Sequence, residues 1–142
     1  MNTKPSTSFW IISVVFLFWN LVGLMFYYMQ MTTSPEVMAE SYTPEQVNFI
    51  TSTPVWATSA YAIAVTAGVL GAAMLLLRRT VAVPLFIVSF VAVLVQDLDA
   101  FVLRGALQQF GGGALVLPSI VIVVCVVEIW YSRAAKGKDW LT

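Results

Sequence analysis

The sequence predicts an all-α membrane protein, a four-transmembrane-helix bundle, and three observations predict it. Of the 142 residues, 60% are hydrophobic and only 10% are charged, against about 45–50% and about 25% in a soluble domain. Mean hydropathy is +0.88. Four separate apolar stretches each approach the roughly 20 residues of helix that a hydrocarbon core of about 30 Å requires. So few charges cannot cover a water-facing surface, which excludes a soluble globule and a solvated disordered chain. No period-2 alternation competes with the helical reading, and barrel strands would be about half as long. The chain reads as one membrane domain, residues 1–142.

The first span covers about residues 9–29, interrupted only by Ser13, Asn20 and Gly23. It exceeds the roughly 7–15 apolar residues of a signal peptide, and Phe26-Tyr27-Tyr28-Met29 offers no small-x-small cleavage site, so it is expected to be retained. An outer loop, residues 32–53, follows. It carries Glu36, Glu40 and Glu45 and no basic residue. Ser34-Pro35-Glu36 and Thr43-Pro44-Glu45 repeat one start signal: a hydroxyl that can cap, a proline suited to the first helical position, and an acid at the positive end of the dipole. Two short helices, about 35–41 and 44–51, are predicted in this first extracytoplasmic loop.

The second span covers about 55–77. It carries small residues at four-residue spacing, Ala60, Ala64, Gly68 and Ala72, the pattern that lets helix backbones approach closely in lipid. The third covers about 81–103, with Pro84 in its first turn, where a missing N–H costs little. Gln108-Gln109-Phe110-Gly111-Gly112-Gly113 reads as a flexible turn, since no P-loop Lys-Ser/Thr follows its glycines. The fourth span covers about 114–131, with Pro118 near its start. Trp10, Tyr27, Tyr28, Trp56, Trp130 and Tyr131 fall at span ends, where amphipathic rings favour the headgroup level.

Orientation follows from Lys and Arg. A cytoplasmic N-terminus puts Lys4, Arg78, Arg79, Arg133, Lys136 and Lys138 inside and leaves Arg104 outside. The sequence therefore predicts N-in, C-in in a bacterial inner membrane.

Charges within a span are costly and are functional suspects by default. The intramembrane polar candidates are Asn20, Gln96, Asp97, Asp99 and Glu128. Asn20 falls near mid-depth, where its amide needs a partner within the bundle. Gln96, Asp97 and Asp99 fall in the outer third of the third span. Asp97 and Arg104, seven apart, share a helix face, and one of the two aspartates is expected to meet Arg104, Gln96 or water while the other faces the outer headgroups. Glu128 is expected near the inner end of the fourth span, paired with Arg78, Arg79 or Arg133. On this reading the acids sit at opposite ends, with only Asn20 between them.

Several motifs carry a resemblance: Trp19-Asn20-Leu21-x-Gly23, Thr53-Pro54-x-Trp56-Ala57-Thr58, Gly68-x-x-Gly71 and Leu75-Leu76-Leu77-Arg78-Arg79. Pro84-Leu85-Phe86, Leu94-Val95-Gln96, Trp130-Tyr131-Ser132-Arg133 and Trp140-Leu141 extend it over nearly the whole chain. Together they resemble a group of small proteobacterial four-helix integral membrane proteins that commonly carry the label "sugar transporter". The resemblance implies the fold and, through the label, transport. The chain departs from the group's pattern at Asp97, Asp99 and Glu128, so no site residue is carried over.

With no histidine and one cysteine, the chain offers neither the usual base nor a Cys-cluster metal site, and no enzyme, cofactor or metal is expected. Seven basic residues balance seven acidic ones, which argues against nucleic acid. The expected partners are the lipid bilayer and other membrane subunits or itself. The favoured function is a non-catalytic accessory subunit of a larger membrane complex. The alternative is a sugar-like solute transporter working as a homo-oligomer, disfavoured because the expected midplane groups, Asn20, Thr66 and Ser89, are few.

Overall fold

The computed structural model describes residues 3–142. Four of its helical segments are long and apolar enough to cross a membrane: Thr7–Thr32, Val55–Leu76, Ala82–Leu103 and Gly112–Gly137. The chain is a multi-pass membrane protein by this criterion, and no strand occurs among the described residues. The elements are α1 (Thr7–Thr32), α2 (Pro35–Met38), α3 (Pro44–Thr51), α4 (Val55–Leu76), α5 (Ala82–Asp97), α6 (Ala106–Phe110) and α7 (Val116–Gly137). A π-helical segment, Leu98–Leu103, extends α5, and a 3-10 turn, Gly112–Leu115, leads into α7. The spans pack in the order α1, α4, α5, α7. Both chain ends and the turn from α4 to α5 meet at one face, called here the terminal face. Helices α2, α3 and α6 lie at the other, the cap face.

Helix α4 is the spine. Ala60, Ala64, Ala67, Gly68, Gly71 and Ala72 are all buried, and α1 and α5 pack on this helix. A methyl added at Gly71 would lie 2.9 Å from Phe86 Cδ1, and one at Gly68 would collide with Asn20 Oδ1. The small-residue face is therefore used within the chain. Below it, toward the terminal face, Phe9, Phe16, Ala72, Leu75, Ala82, Phe86, Ala135 and Leu141 form one apolar core.

The terminal face is stitched by backbone groups. Helix α4 ends with Arg78 in the left-handed region (φ 57°), Arg79 N–H donating to Met74 O at 2.8 Å and Arg78 N–H to Leu75 O at 3.0 Å. Helix α7 ends the same way on Asp139 (φ 58°), with Trp140 N–H donating to Ala135 O at 3.0 Å and Asp139 N–H to Lys136 O at 3.1 Å. These are paired Schellman closures. Arg78 then clamps the ends together, its Nε donating to Trp140 O at 2.8 Å and its Nη2 to Thr3 O at 2.7 Å.

At the cap face Ser34 caps α2, and Thr43 with Gln46 forms a capping box on α3. The segment expected to be a flexible turn is instead structured. Gly105 (φ 68°) and Gly111 (φ 82°) bracket α6, Gln46 Nε2 donates to Gln109 O at 2.9 Å, and the Phe110 ring meets Phe49 and Tyr42 edge-on. Glycines here supply left-handed backbone for a tight reversal rather than flexibility.

Candidate functional site

The polar residues of the spans fall into two groups; the first settles an alternative the sequence left open, and the second departs from the expected pairing. The first is at the cap face. Asp99, only 2% exposed, pairs with Arg104 at 2.9 Å. The sequence left both aspartates open as the partner of Arg104, with Asp97 on the α-helical face seven residues away. The π segment changes the register: one π turn brings residue i under i+5, so Arg104 N–H donates to Asp99 O at 3.0 Å while its Nε reaches Asp99 Oδ2 at 2.9 Å. The rest of the guanidinium is spent on the cap, Nη1 donating to Phe49 O at 2.6 Å and Nη2 to Thr53 Oγ1 at 3.0 Å. It also lies 4.2 Å from the Phe49 ring centroid. Arg104 thus binds α3 to the end of the third span, and Asp99 is a structural anchor.

The second group lies deeper. Glu128, expected near the inner end of its span, sits near the midpoint of α7, which continues past the Trp130-Tyr131 belt as far as Gly137. It is 2% exposed and accepts a hydrogen bond from Asn20 Nδ2 at 2.6 Å. Asn20 lies at the middle of α1, and its Nδ2 also donates to Phe16 O at 2.8 Å. The expected pairing with Arg78, Arg79 or Arg133 is replaced by this bond. Arg78 is committed to the chain ends, and Arg133 is exposed on the last turns of α7.

Asn20 and Glu128 form part of the wall of a cavity of about 280 Å³ between the four spans. The other walls are Trp19, Val22, Gly23 and Phe26 from α1, Tyr61, Ala64 and Val65 from α4, Ser89, Val93, Gln96 and Asp97 from α5, and Leu117, Pro118, Val121 and Cys125 from α7. Ser89 Oγ donates to Ala64 O at 2.7 Å, which occupies its proton and fixes α5 on α4. Asp97 Oδ2 is buried without a hydrogen-bond partner. A second cavity of about 130 Å³ lies toward the cap, lined by Asp99, Arg104, Phe49 and Thr53 among others, and Tyr61 and Gln96 line both. Those two side chains form the partition.

On the terminal-face side the cavity is closed. Tyr131 of α7 packs against Phe16 and Phe9 of α1 at centroid distances of 5.9 and 6.4 Å. On the cap side of Asn20 and Glu128, α1 and α7 no longer join through rings. Phe26 and Leu117, 49% and 57% exposed, stand at the edge of the cavity on the lipid-facing surface. The cavity therefore opens sideways through the α1/α7 seam.

Of the five polar candidates, Asn20, Gln96, Asp97 and Glu128 line this one cavity and Asp99 lines its smaller neighbour. Sequence reasoning missed the contributions of Trp19, Phe26, Tyr61 and Cys125. It placed Asn20 and Ser89 together at mid-depth but missed that Glu128 shares it. Counting from helix centres instead of from aromatic belts would have found that depth. Among the described residues no group of three or more His, Cys, Asp or Glu comes together to hold a metal ion. No protein-family model, curated protein or solved structure matches the chain, so the resemblance to the "sugar transporter" group is carried by the quoted motifs alone.

Proposed function

We propose that the chain is a non-catalytic protein of the bacterial inner membrane, both termini cytoplasmic, that takes a small solute into the cavity between its spans and belongs to the transport class. The observation that carries this reading is the Asn20–Glu128 pair, bonded at 2.6 Å in the wall of a cavity of about 280 Å³. A carboxyl group at the centre of a membrane costs about 2.5–3.5 kcal/mol on insertion scales. A purely structural bundle has no need of one, and an apolar residue would pack α7 on α1 at lower cost. The volume lies just below the roughly 300–1,000 Å³ of small-molecule sites.

The sequence favoured an accessory subunit because of a small-residue face and an outer cap. In this fold α1 and α5 fill the small-residue face, and Arg104 holds the cap on its own bundle. A partner would need another surface, which shifts weight to the solute reading. The test pairs two measurements: uptake of labelled sugars and other small solutes by purified protein in liposomes, and pull-down from native membranes. We expect saturable uptake of at least one solute, reduced about tenfold or more in Glu128→Gln, which keeps an acceptor for Asn20 but loses the carboxyl. A stoichiometric partner in the pull-down, with no solute taken up, would return the protein to the subunit class. A cytoplasm-active fluorescent reporter fused to Thr142 should give signal, and a dark fusion would reverse the orientation.

A further inference from the structure

We infer that the cavity takes a lipophilic organic cation, an ammonium group carrying apolar substituents, which arrives from the bilayer through the α1/α7 seam. The inference rests on the solute-binding reading above and names the ligand class of that same site.

Charge comes first. Two carboxyl side chains, Asp97 and Glu128, line the cavity, and no Lys or Arg lines it. The nearest candidate cation at the cap, Arg104, lines only the smaller cavity and is paired with Asp99. Glu128 has one internal partner, Asn20, and Asp97 Oδ2 is buried with none. Buried polar groups are normally satisfied, and neither carboxyl has a basic partner in the cavity wall. A ligand cation is drawn to two carboxyl groups that have no basic residue beside them in the wall, whereas an anion finds no positive partner there.

The remaining walls describe the rest of the ligand. Trp19, Phe26 and Tyr61 contribute three aromatic rings, and ring faces attract ammonium groups, more strongly when water is excluded. Most of the other lining is aliphatic. A sugar would present several hydroxyls, each needing a partner. Here Ser89 has given its proton to Ala64 O and Asn20 Nδ2 is bonded to both Phe16 O and Glu128. The sideways opening between Phe26 and Leu117 suits a molecule that partitions into lipid before it binds.

The experiment uses the full chain in lipid nanodiscs and an isosteric pair of probes. Benzyltrimethylammonium carries a quaternary nitrogen, and neopentylbenzene has the same shape with carbon in its place. We expect saturable binding of the labelled cation, with neopentylbenzene competing about tenfold or more less effectively. Asp97→Asn should weaken cation binding about tenfold or more while leaving the melting temperature near wild type, since the lost oxygen has no internal bond. Glu128→Gln provides a second variant that retains the Asn20 bond. Equal competition by the neutral probe, or wild-type cation affinity in both variants, would overturn the cation assignment. Binding of glucose with no binding of the cation would also overturn it while leaving the solute-binding reading intact. Failure of every probe together with a stoichiometric membrane partner would remove both.

Discussion

Between the terminal face and Asn20, the four spans close on Phe9, Phe16, Leu75 and Phe86, none more than 7% exposed. Between Asn20 and the cap face, the same helices stand around a cavity of about 280 Å³. The helix order is the same in both halves, so the difference comes from residues at the seams. In the terminal half, Tyr131 bridges α7 to Phe9 and Phe16 of α1. In the cap half Gly23 on α1 and Pro118 and Val121 on α7 line the cavity, and among the described residues no ring bridges α1 to α7 there as Tyr131 does below. Packing holds the first half together. The second is held at its rim by Arg104, which ties the π segment to α3 through Phe49 and Thr53. The cap half is thus open to lipid, water or a ligand, where the terminal half is filled by its own side chains.

The largest expected effect breaks the packed half. Phe86 is 1% exposed, faces Phe16 at a centroid distance of 6.3 Å, and fills the space left by Gly71. Phe86→Ala should destabilise the bundle by about 3–5 kcal/mol, read as a lower midpoint in detergent unfolding. A loss below about 1 kcal/mol would mean that the terminal half is not the packed one.

The next breaks the rim. Arg104→Ala leaves Asp99 buried without its cation and frees Phe49 O and Thr53 Oγ1, a loss of about 3 kcal/mol by the usual cost of breaking a buried pair. Because the cap half depends on this contact, faster protease nicking of the segment between α1 and α4 should accompany it. Asp99→Asn together with Arg104→Gln should recover part of the loss, since it removes the uncompensated charge. If Arg104→Ala left protease sensitivity unchanged, the rim would not depend on that contact.

The two halves were legible in the sequence to different degrees. Span number and approximate bounds could be read because apolar run length is a one-dimensional property. The α4 stripe could be read because four-residue spacing maps directly onto a helix face. The cavity could not. Asn20 and Glu128 are 108 positions apart, and nothing local to either announces the other. The depth of Glu128 was obscured because the Trp130-Tyr131 pair resembles a membrane boundary, while Ser132 and Ala134-Ala135 are equally content to continue the helix. The sequence left open which aspartate meets Arg104, because a π turn leaves no composition signature to select Asp99 over Asp97. What was lost lies where backbone geometry departs from the ideal or where pairing is long-range.

The smallest effect sharpens the comparison most, because it asks both halves the same question. A glycine-to-alanine change adds one methyl group and, in a helix interior, is worth up to about 1 kcal/mol of stabilisation from propensity alone. At Gly71 the new Cβ would sit 2.9 Å from Phe86 Cδ1 and 3.0 Å from Cε1, a separation at which the ring must move. Phe86 is fully packed, so Gly71→Ala should cost about 1–3 kcal/mol net through overpacking. At Gly23 the nearest atom to the new Cβ is Val65 Cγ1 at 3.8 Å, an ordinary contact on the cavity wall. Gly23→Ala should therefore be neutral or stabilising by up to about 1 kcal/mol. The methyl also takes space beside Asn20, so solute affinity should fall while the melting temperature holds or rises. Parallel unfolding curves for the two variants decide it. Opposite signs support a packed half and an open half in one bundle. Equal losses would mean that α1 is as tightly held at Gly23 as α4 is at Gly71, and the cavity would then be too small to admit a ligand.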